Sequence, residues 1–349
     1  MSADDLPFAH GGPLLRGVLR AQAEDFFVDE VLGFEPEGRG EHVFVHIEKT
    51  GANTDWVAKQ LARFSGVAPM AVGFSGMKDR HAVTRQWLSV HLPGKADPDW
   101  STVDIDGLKV LDTRRHDRKL KRGAHRSNRF RIRLREIGGD RDAAQARIDA
   151  IAAQGVPNYF GEQRFGRGGN NLDLARALFG GRRMPREQKS FALSAARSHL
   201  FNRILALRVG EGSWNQARDG DVFMLAGTHS VFGPEAIDDA LRDRMNRLDI
   251  HPTGAMWGKG DLRSSGDVAE LESSIALAEA ELADGLVRNS LDQQRRSLRL
   301  LATGLTASWE GDDLILDFSL ESGAFATVII RELCDTSAHA PASRASTDE

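Results

Sequence analysis

The stretch FSGMKDRHAVTRQW, Phe74–Trp87, holds one carboxylate, Asp79, between Lys78 and Arg80. Gly76 precedes it and His81 follows. Two readings fit an acid so placed. It is a solvated charge in a tight turn, or it is a reactive group whose ionised form is favoured by neighbouring cations and serves as nucleophile or general base. A second candidate lies at 114–135, RRHDRKLKRGAHRSNRFRIRLR, with eleven Lys and Arg against one acid, Asp117. That segment is +10. The whole chain is −4, so the remainder carries −14. Such asymmetry suits a polyanion held on an acidic body through phosphate contacts, against the alternative of a solvated, salt-bridged strand. Arg114, Arg115, Lys119, Lys121, Arg122 and Arg126 are the candidate contacts.

Other chemistry finds less support. The eleven histidines show no H-E-x-x-H spacing, and the single cysteine, Cys334, rules out an internal disulfide and a four-cysteine zinc site. No metal is expected. GRGGNN lacks the G-K-[ST] ending of a phosphate-binding loop, and GEGSWN follows no strand of a βαβ unit. No nucleophile–His–Asp motif stands out. Two aromatics, Phe130 and Phe325, and the run NYFGEQRFG (Tyr159, Phe160, Arg164, Phe165) complete the candidates. Taken singly, Phe130 and Phe325 read as core.

With 349 residues the chain is long enough for about two domains. Apolar content of 41% with 28% charged is ordinary for a globular protein. MSADDLPFAHGGP has neither a basic start nor an apolar run, so no signal peptide is expected, and no stretch approaches the roughly 20 apolar residues of a membrane helix. A reducing cytoplasm fits the lone cysteine. The tail ASRASTDE is expected to be disordered.

The elements that must position these residues follow from period and punctuation. Residues 14–31 read as an early strand and turn. HVFVHI, 42–47, alternates and predicts a strand. Asn53 or Thr54 is positioned to cap the helix DWVAKQLARF, whose stripe is Val57, Leu61 and Phe64. AVGFSG enters, and VTRQWLSVHL leaves, the loop carrying Asp79, so the acid sits on a connection between strands, where catalytic groups concentrate. GLKVLDTRR is a strand. SNRFRIRLRE is the clearest one: Asn128, Phe130, Ile132 and Leu134 share a face, and Arg129, Arg131, Arg133 and Arg135 share the other. RDAAQARIDAIAAQG is a helix ending at Gly155. Beyond a boundary at 155–157 come a Gly-rich loop, a helix SFALSAARSHLFNRILALRV with Ser190 as cap and Leu193, Leu200, Ile204 and Leu207 as its stripe, a strand VFMLAG, and one amphipathic helix DVAELESSIALAEAELADGL. Strands are expected to return after Leu305, in LTASWE, DDLILDFSLE and GAFATVIIRELC.

In combination and in order, RAQAEDFFVDE, GMKDRHAVTRQW, the SNRF strand, GVPNYFGEQRFG, KSFALSAARSHLFN and GAFATVIIREL resemble the TruD family of tRNA pseudouridine synthases, from about residue 14 to about 333. The resemblance implies an α/β (α+β) fold: a pseudouridine synthase catalytic domain with a mixed, largely antiparallel sheet, at 1–154 and 304–349, and an inserted α/β domain at 155–303. It implies isomerisation of uridine 13 of tRNA to pseudouridine, with no cofactor or metal. The uracil is detached from its ribose, turned and rejoined through carbon. Asp79 falls at the essential aspartate of G-x-K-D, as nucleophile or general base. Phe130 matches the aromatic that stacks on the base, where other pseudouridine synthases use tyrosine. Asn128 matches an active-site asparagine, and Phe325 a second apolar contact. Arg20 stands where the family places a lysine beside the aspartate, and a guanidinium also pairs with a carboxylate. The partner implied is tRNA, with no membrane and no protein partner. A base inside folded RNA must be flipped out to be reached, and gains stacking on an aromatic ring. Two other classes carry different signatures: a non-catalytic RNA-binding chaperone would not need Asp79, and a nuclease or phosphotransferase would need paired carboxylates and Mg²⁺.

Overall fold

The computed structural model describes residues 6–337; the tail 342–349, expected to be disordered, lies outside them. The chain divides into two compact units. One comprises 13–152, 302–323 and the residues from Leu333 onward; the other comprises the first twelve residues, 153–301 and 324–332.

The first of these is built on one ten-stranded sheet. Its early strands are β1 (Leu15–Leu19), β2 (Phe26–Leu32), β3 (His42–Lys49), β4 (Val72–Phe74), β5 (Val83–His91), β6 (Leu108–His116) and β7 (His125–Gly139). The order across the sheet is 303–310, 313–321, β7, β2, β5, β3, β6. Only β2–β5 and β1–Cys334–Asp335 run parallel. The long strand β7 forms because its residues alternate strictly. Asn128 and Phe130 are buried at 8% exposure, Ile132 and Leu134 at 0%, while Arg129 and Arg131 are exposed. A one-residue slip would turn every arginine into the core, so the register is strongly specified. It places Asn128 opposite Glu30, and Phe130 between Val28 and Phe318. Helix α1 (Thr54–Phe64) lays Val57 and Leu61 on Val43, Val45, Ile47, Leu88 and Val90. Asn53 occupies the cap position of α1 but makes no side-chain cap; Thr54 is turned inward to Gln86 instead. Helix α2 (Arg141–Gln154) ends at Gly155, whose φ of +78° suits a residue without Cβ.

The other unit centres on the helix Arg186–Gly210, surrounded by helices Asn170–Phe179, Gly266–Ala278 and Ala280–Arg288, with a four-stranded sheet and a two-stranded ladder. Four expectations change here. The long helix begins four residues before Ser190, with Pro185 at the cap position, so Ser190 lies inside it; Pro185 sets the start because its ring disfavours helical backbone at Met184. Leu207 of the expected stripe is 42% exposed, and the buried face runs instead through Ala192, Ala196, Leu200 and Ile204. The amphipathic segment is two helices broken at Glu279, whose carboxylate is held by His199 and Arg203 of the long helix. Finally, 327–331 of GAFATVIIRELC is a short helix rather than strand; a fully buried apolar run does not declare its period.

Candidate active site

Asp79 lies on the β4–β5 connection, which is tied down through its backbone. The Lys78 N–H donates to Thr54 Oγ1 at 3.0 Å, and Thr54 in turn donates to Gln86 Oε1. The Gly51 N–H donates to Arg80 O at 3.0 Å. Lys49, at the end of β3 and wholly buried, donates from Nζ to Ala52 O at 2.8 Å and to Asp79 O at 3.0 Å, with Lys78 O at 3.5 Å. Burial pulls its ammonium down to about 8, an effect that Asp79 opposes and Lys78 adds to. Gly76 lets the loop pack closely: a Cβ there would meet His125 Cε1 and Lys78 Nζ, each at 3.3 Å, and push one of them aside.

With the backbone so occupied, the Asp79 carboxylate keeps two contacts. Oδ1 accepts from the His81 N–H at 2.9 Å, and Oδ2 lies 3.1 Å from Arg20 Nη2. The two side chains are 24% and 22% exposed, so the pair remains within reach of solvent. Arg20 follows β1 at φ +61°, a left-handed conformation that costs a non-glycine residue roughly 1–2 kcal/mol. Its guanidinium sits 4.2 Å from the Phe26 ring centre, with Nε buried and, among the described residues, without a hydrogen-bond partner. Strain of this kind persists where the surroundings over-determine it. Here the next turn is fixed by Asp25, 1% exposed, which accepts from the Gln22 N–H and pairs with Arg135 at 2.7 Å.

Beneath the loop is a buried polar chain. Lys78 Nζ is 2.6 Å from Glu30 Oε2, the side chains being 6% and 0% exposed. Burial raises the Glu30 carboxyl above its usual value, and Lys78 opposes the rise. His125 is pushed down to about 4, by burial first and Lys78 second, so it is neutral. Asn128 Nδ2 donates to His125 Nε2 at 3.2 Å, which leaves Nδ1–H to donate to Ser75 Oγ. Asn128 Oδ1 is then a buried acceptor with no partner among the described residues. A buried unsatisfied carbonyl costs about 1–3 kcal/mol, so it marks either strain or a missing ligand.

Phe130 stacks on Phe318 (5.4 Å, 21°) and meets Phe26 edge-on (6.1 Å, 81°). Arg20, Asp79, Asn128 and Phe130 therefore belong to one unit and are linked through Phe26, His125 and Ser75. Phe325 belongs to the other unit, where it packs on Phe160 (6.2 Å) and under Arg164 (5.8 Å).

The basic strip is partly consumed by the protein. Arg133 pairs with Glu310 and Asp313, Arg135 with Asp25 and Asp313, and Arg131 with Asp317 at 3.9 Å. Arg114 is 3.0 Å from Asp112, Arg115 holds Asp97 and two carbonyls, and Lys119 donates to Met70 O. Arg122 covers the Phe74 ring at 3.9 Å. Among the described residues, Lys121 and Arg126 have no carboxylate within 4 Å. Lys78, expected from the sequence to be a cation beside Asp79, is turned to Glu30 instead, and sequence reasoning missed Lys49, Glu30 and His125. No sequence signal marks them, since they act on backbone or on each other across the sheet. No cluster of His, Cys, Asp and Glu among the described residues could hold a metal, and no described helix is long and apolar enough to cross a membrane.

Comparison with known proteins bears on this arrangement. The sequence model described as tRNA pseudouridine synthase D (TruD) matches residues 7–181 and 169–333. A tRNA pseudouridine synthase D of Methylococcus capsulatus is 53% identical over 336 residues, covering 95% of each chain. One from Aeromonas salmonicida is 49% identical over 331 residues, covering 95% of this chain and 94% of its own. The crystal structure of a putative tRNA pseudouridine synthase D from Methanosarcina mazei shares the fold, with a TM-score of 0.70 over 93% of this chain and 95% of that one, at 22% identity. The loop that carries Asp79 and the strand that carries Asn128 and Phe130 both lie within the matched residues, and the chain belongs to the tRNA pseudouridine synthase D family.

Proposed function

We propose that this protein isomerises uridine 13 of tRNA to pseudouridine, with Asp79 as the reacting carboxylate. The observation that carries the reading is the Asp79 side chain itself. Its loop is fastened by its backbone on several sides, while its carboxylate stays open to solvent beside Arg20. The reaction breaks the C1′–N1 bond and forms a C1′–C5 bond on the same base. No atoms are added and no electrons exchanged, so nothing in its balance calls for a cofactor. Asp79 acts as nucleophile or general base, with Arg20 Nη2 3.1 Å from its carboxylate to orient it.

Asn128 Oδ1 is complementary to a donor such as the uracil N3–H, which would supply its absent partner. The ring of Phe130, backed by Phe318, offers a stacking surface to a flipped base, and Phe325 is a second apolar contact. Phosphate contacts fall to the exposed cations of the 114–135 strip, Lys121 and Arg126 foremost. Segments 1–154 and 304–349 carry the chemistry; the insert 155–303 contributes to tRNA binding. The place of action is the cytoplasm. Treating a tRNA transcript with the protein and mapping pseudouridine nucleotide by nucleotide tests the reading. Product at position 13, lost in a transcript with cytidine there, supports it; product at a different uridine overturns the site assignment.

A further inference from the structure

The unit that contains 153–301 holds a cation without a counter-charge. Arg164 ends the short turn Glu162–Arg164, and its Nη1 donates to Ser194 Oγ at 2.9 Å. Its guanidinium lies 5.2 Å from the Phe160 ring and 5.8 Å from that of Phe325. Among the described residues its buried Nε has no hydrogen-bond partner, and no carboxylate comes within 4 Å. Burial lowers its affinity for its proton. Desolvating a charge without pairing it is expensive, and a guanidinium fork matches a phosphate's oxygens.

Arg164 does not face a filled core. With Gln163, Asn171, Phe191, Ser194 and Phe325 it lines a cavity of about 420 Å³. Phe191 is 51% exposed although it lies well inside the helix Arg186–Gly210. It is three residues from Ser194, hence on the same face. One turn earlier the helix presents Arg186 and Lys189. Both are exposed, and among the described residues neither has a carboxylate within 4 Å. An open aromatic ring, a half-buried guanidinium and free flanking cations are the parts of a site that follows a nucleic-acid strand by stacking and charge. None of them belongs to the 114–135 strip.

We propose that this cavity, which includes the Phe325 already assigned as an apolar contact of the base, is an RNA subsite in which Arg164 takes one backbone phosphate and Phe191 stacks the adjoining base, while Arg186 and Lys189 draw in the flanking strand. The assignment rests on tRNA being the substrate. Its test reads binding rather than product, so a failure of the position-13 reading and a failure of this one remain distinct.

The experiment measures the affinity of the full chain for an unmodified tRNA transcript between about 50 and 200 mM salt, the range over which phosphate contacts declare themselves. Phe191→Ala, at an exposed position, is the variant safest for folding. It should weaken binding about 5- to 10-fold with the salt slope unchanged. Arg164→Gln should weaken it similarly and make the slope of log K against log salt shallower by about one. R186A/K189A should make it shallower again, and decides with Phe191→Ala if Arg164→Gln melts early. Affinity within about twofold of wild type and an unchanged slope in the folded variants would overturn the proposal. So would thermal stabilisation by inorganic phosphate that Arg164→Gln abolishes while tRNA affinity stays intact, since the site would then serve a free anion.

Discussion

Lys49 offers a severe test of how the Asp79 loop is held. Replacing it by Met keeps length and apolar stem but removes every donor. Ala52 O and Asp79 O, bonded at 2.8 and 3.0 Å, would lose their partner. Each acceptor left unsatisfied costs about 1–3 kcal/mol. Relief of the desolvated ammonium, which burial has already drawn down to about 8, offsets part of that. A net loss of about 2 kcal/mol follows, a fall in Tm of roughly 4–8 °C for units of this size. The larger effect is on chemistry. A carboxylate freed to wander by about 1 Å loses about 100-fold in rate, whereas Lys49, wholly buried, touches no RNA. Single-turnover pseudouridine formation at saturating enzyme, with tRNA binding measured separately, resolves the two. The expected result is a rate constant down about 100-fold with Kd within about twofold, and partial recovery in Lys49→Gln. A folded Lys49→Met protein with wild-type rate would refute the argument that this ammonium positions the loop.

Three further outcomes follow from the structure. Arg20→Gln removes the cation 3.1 Å from Asp79; for a pair this exposed about 1 kcal/mol is at stake, so single-turnover rate at neutral pH should drop about 5- to 10-fold, with Arg20→Lys near wild type. His125 has a folded value of about 4 against 6.5 unfolded, so the unfolded chain takes up more protons between those values. Its contribution to stability is complete above pH 6.5 and is lost as pH falls toward 4; Glu30, raised above 4.5 and facing the same Lys78, acts in the opposite direction. Melting curves across that range should therefore be flatter in His125→Gln than in wild type. Arg208, 1% exposed, is bonded to Asp221 through both carboxylate oxygens and to Ser213 and Gln216. Arg208→Leu strands a buried carboxylate and should cost about 3–5 kcal/mol in chemical denaturation, whereas a loss under about 1 kcal/mol would show Asp221 to be relieved by protonation or water.

What could be read from residues alone differed from element to element. Strand β7 was legible because one of its faces is buried and the other wet, so its alternation is strict. The start of the long helix was not: residues 186–189 are all exposed and show no apolar period, while Ser190 mimics a cap although Pro185 occupies the cap position. The break at Glu279 comes from His199 and Arg203, some 80 residues away along the chain, which no window of sequence contains. Residues 327–331 were opaque because Val328, Ile329 and Ile330 are all buried, and strand and helix look alike when every side chain is inside. Asp79 stood out only through the motif around it. Lys49 works on backbone carbonyls, which carry no signature in sequence. The value of the arginine ladder was also hidden, since the acids that neutralise Arg131, Arg133 and Arg135 come from 25 and 310–317.

The central claim is that Asp79 reacts with the flipped uridine. The most direct measurement is pseudouridine at position 13 of a purified tRNA transcript, without added metal, with wild-type protein and Asp79→Asn in parallel. Asparagine keeps the size and can still accept the His81 N–H, so the loop should hold its shape. Product from wild type alone, with equal tRNA binding by both, is the predicted result. Equal product from both proteins would contradict the account and return Asp79 to the role of a solvated turn residue.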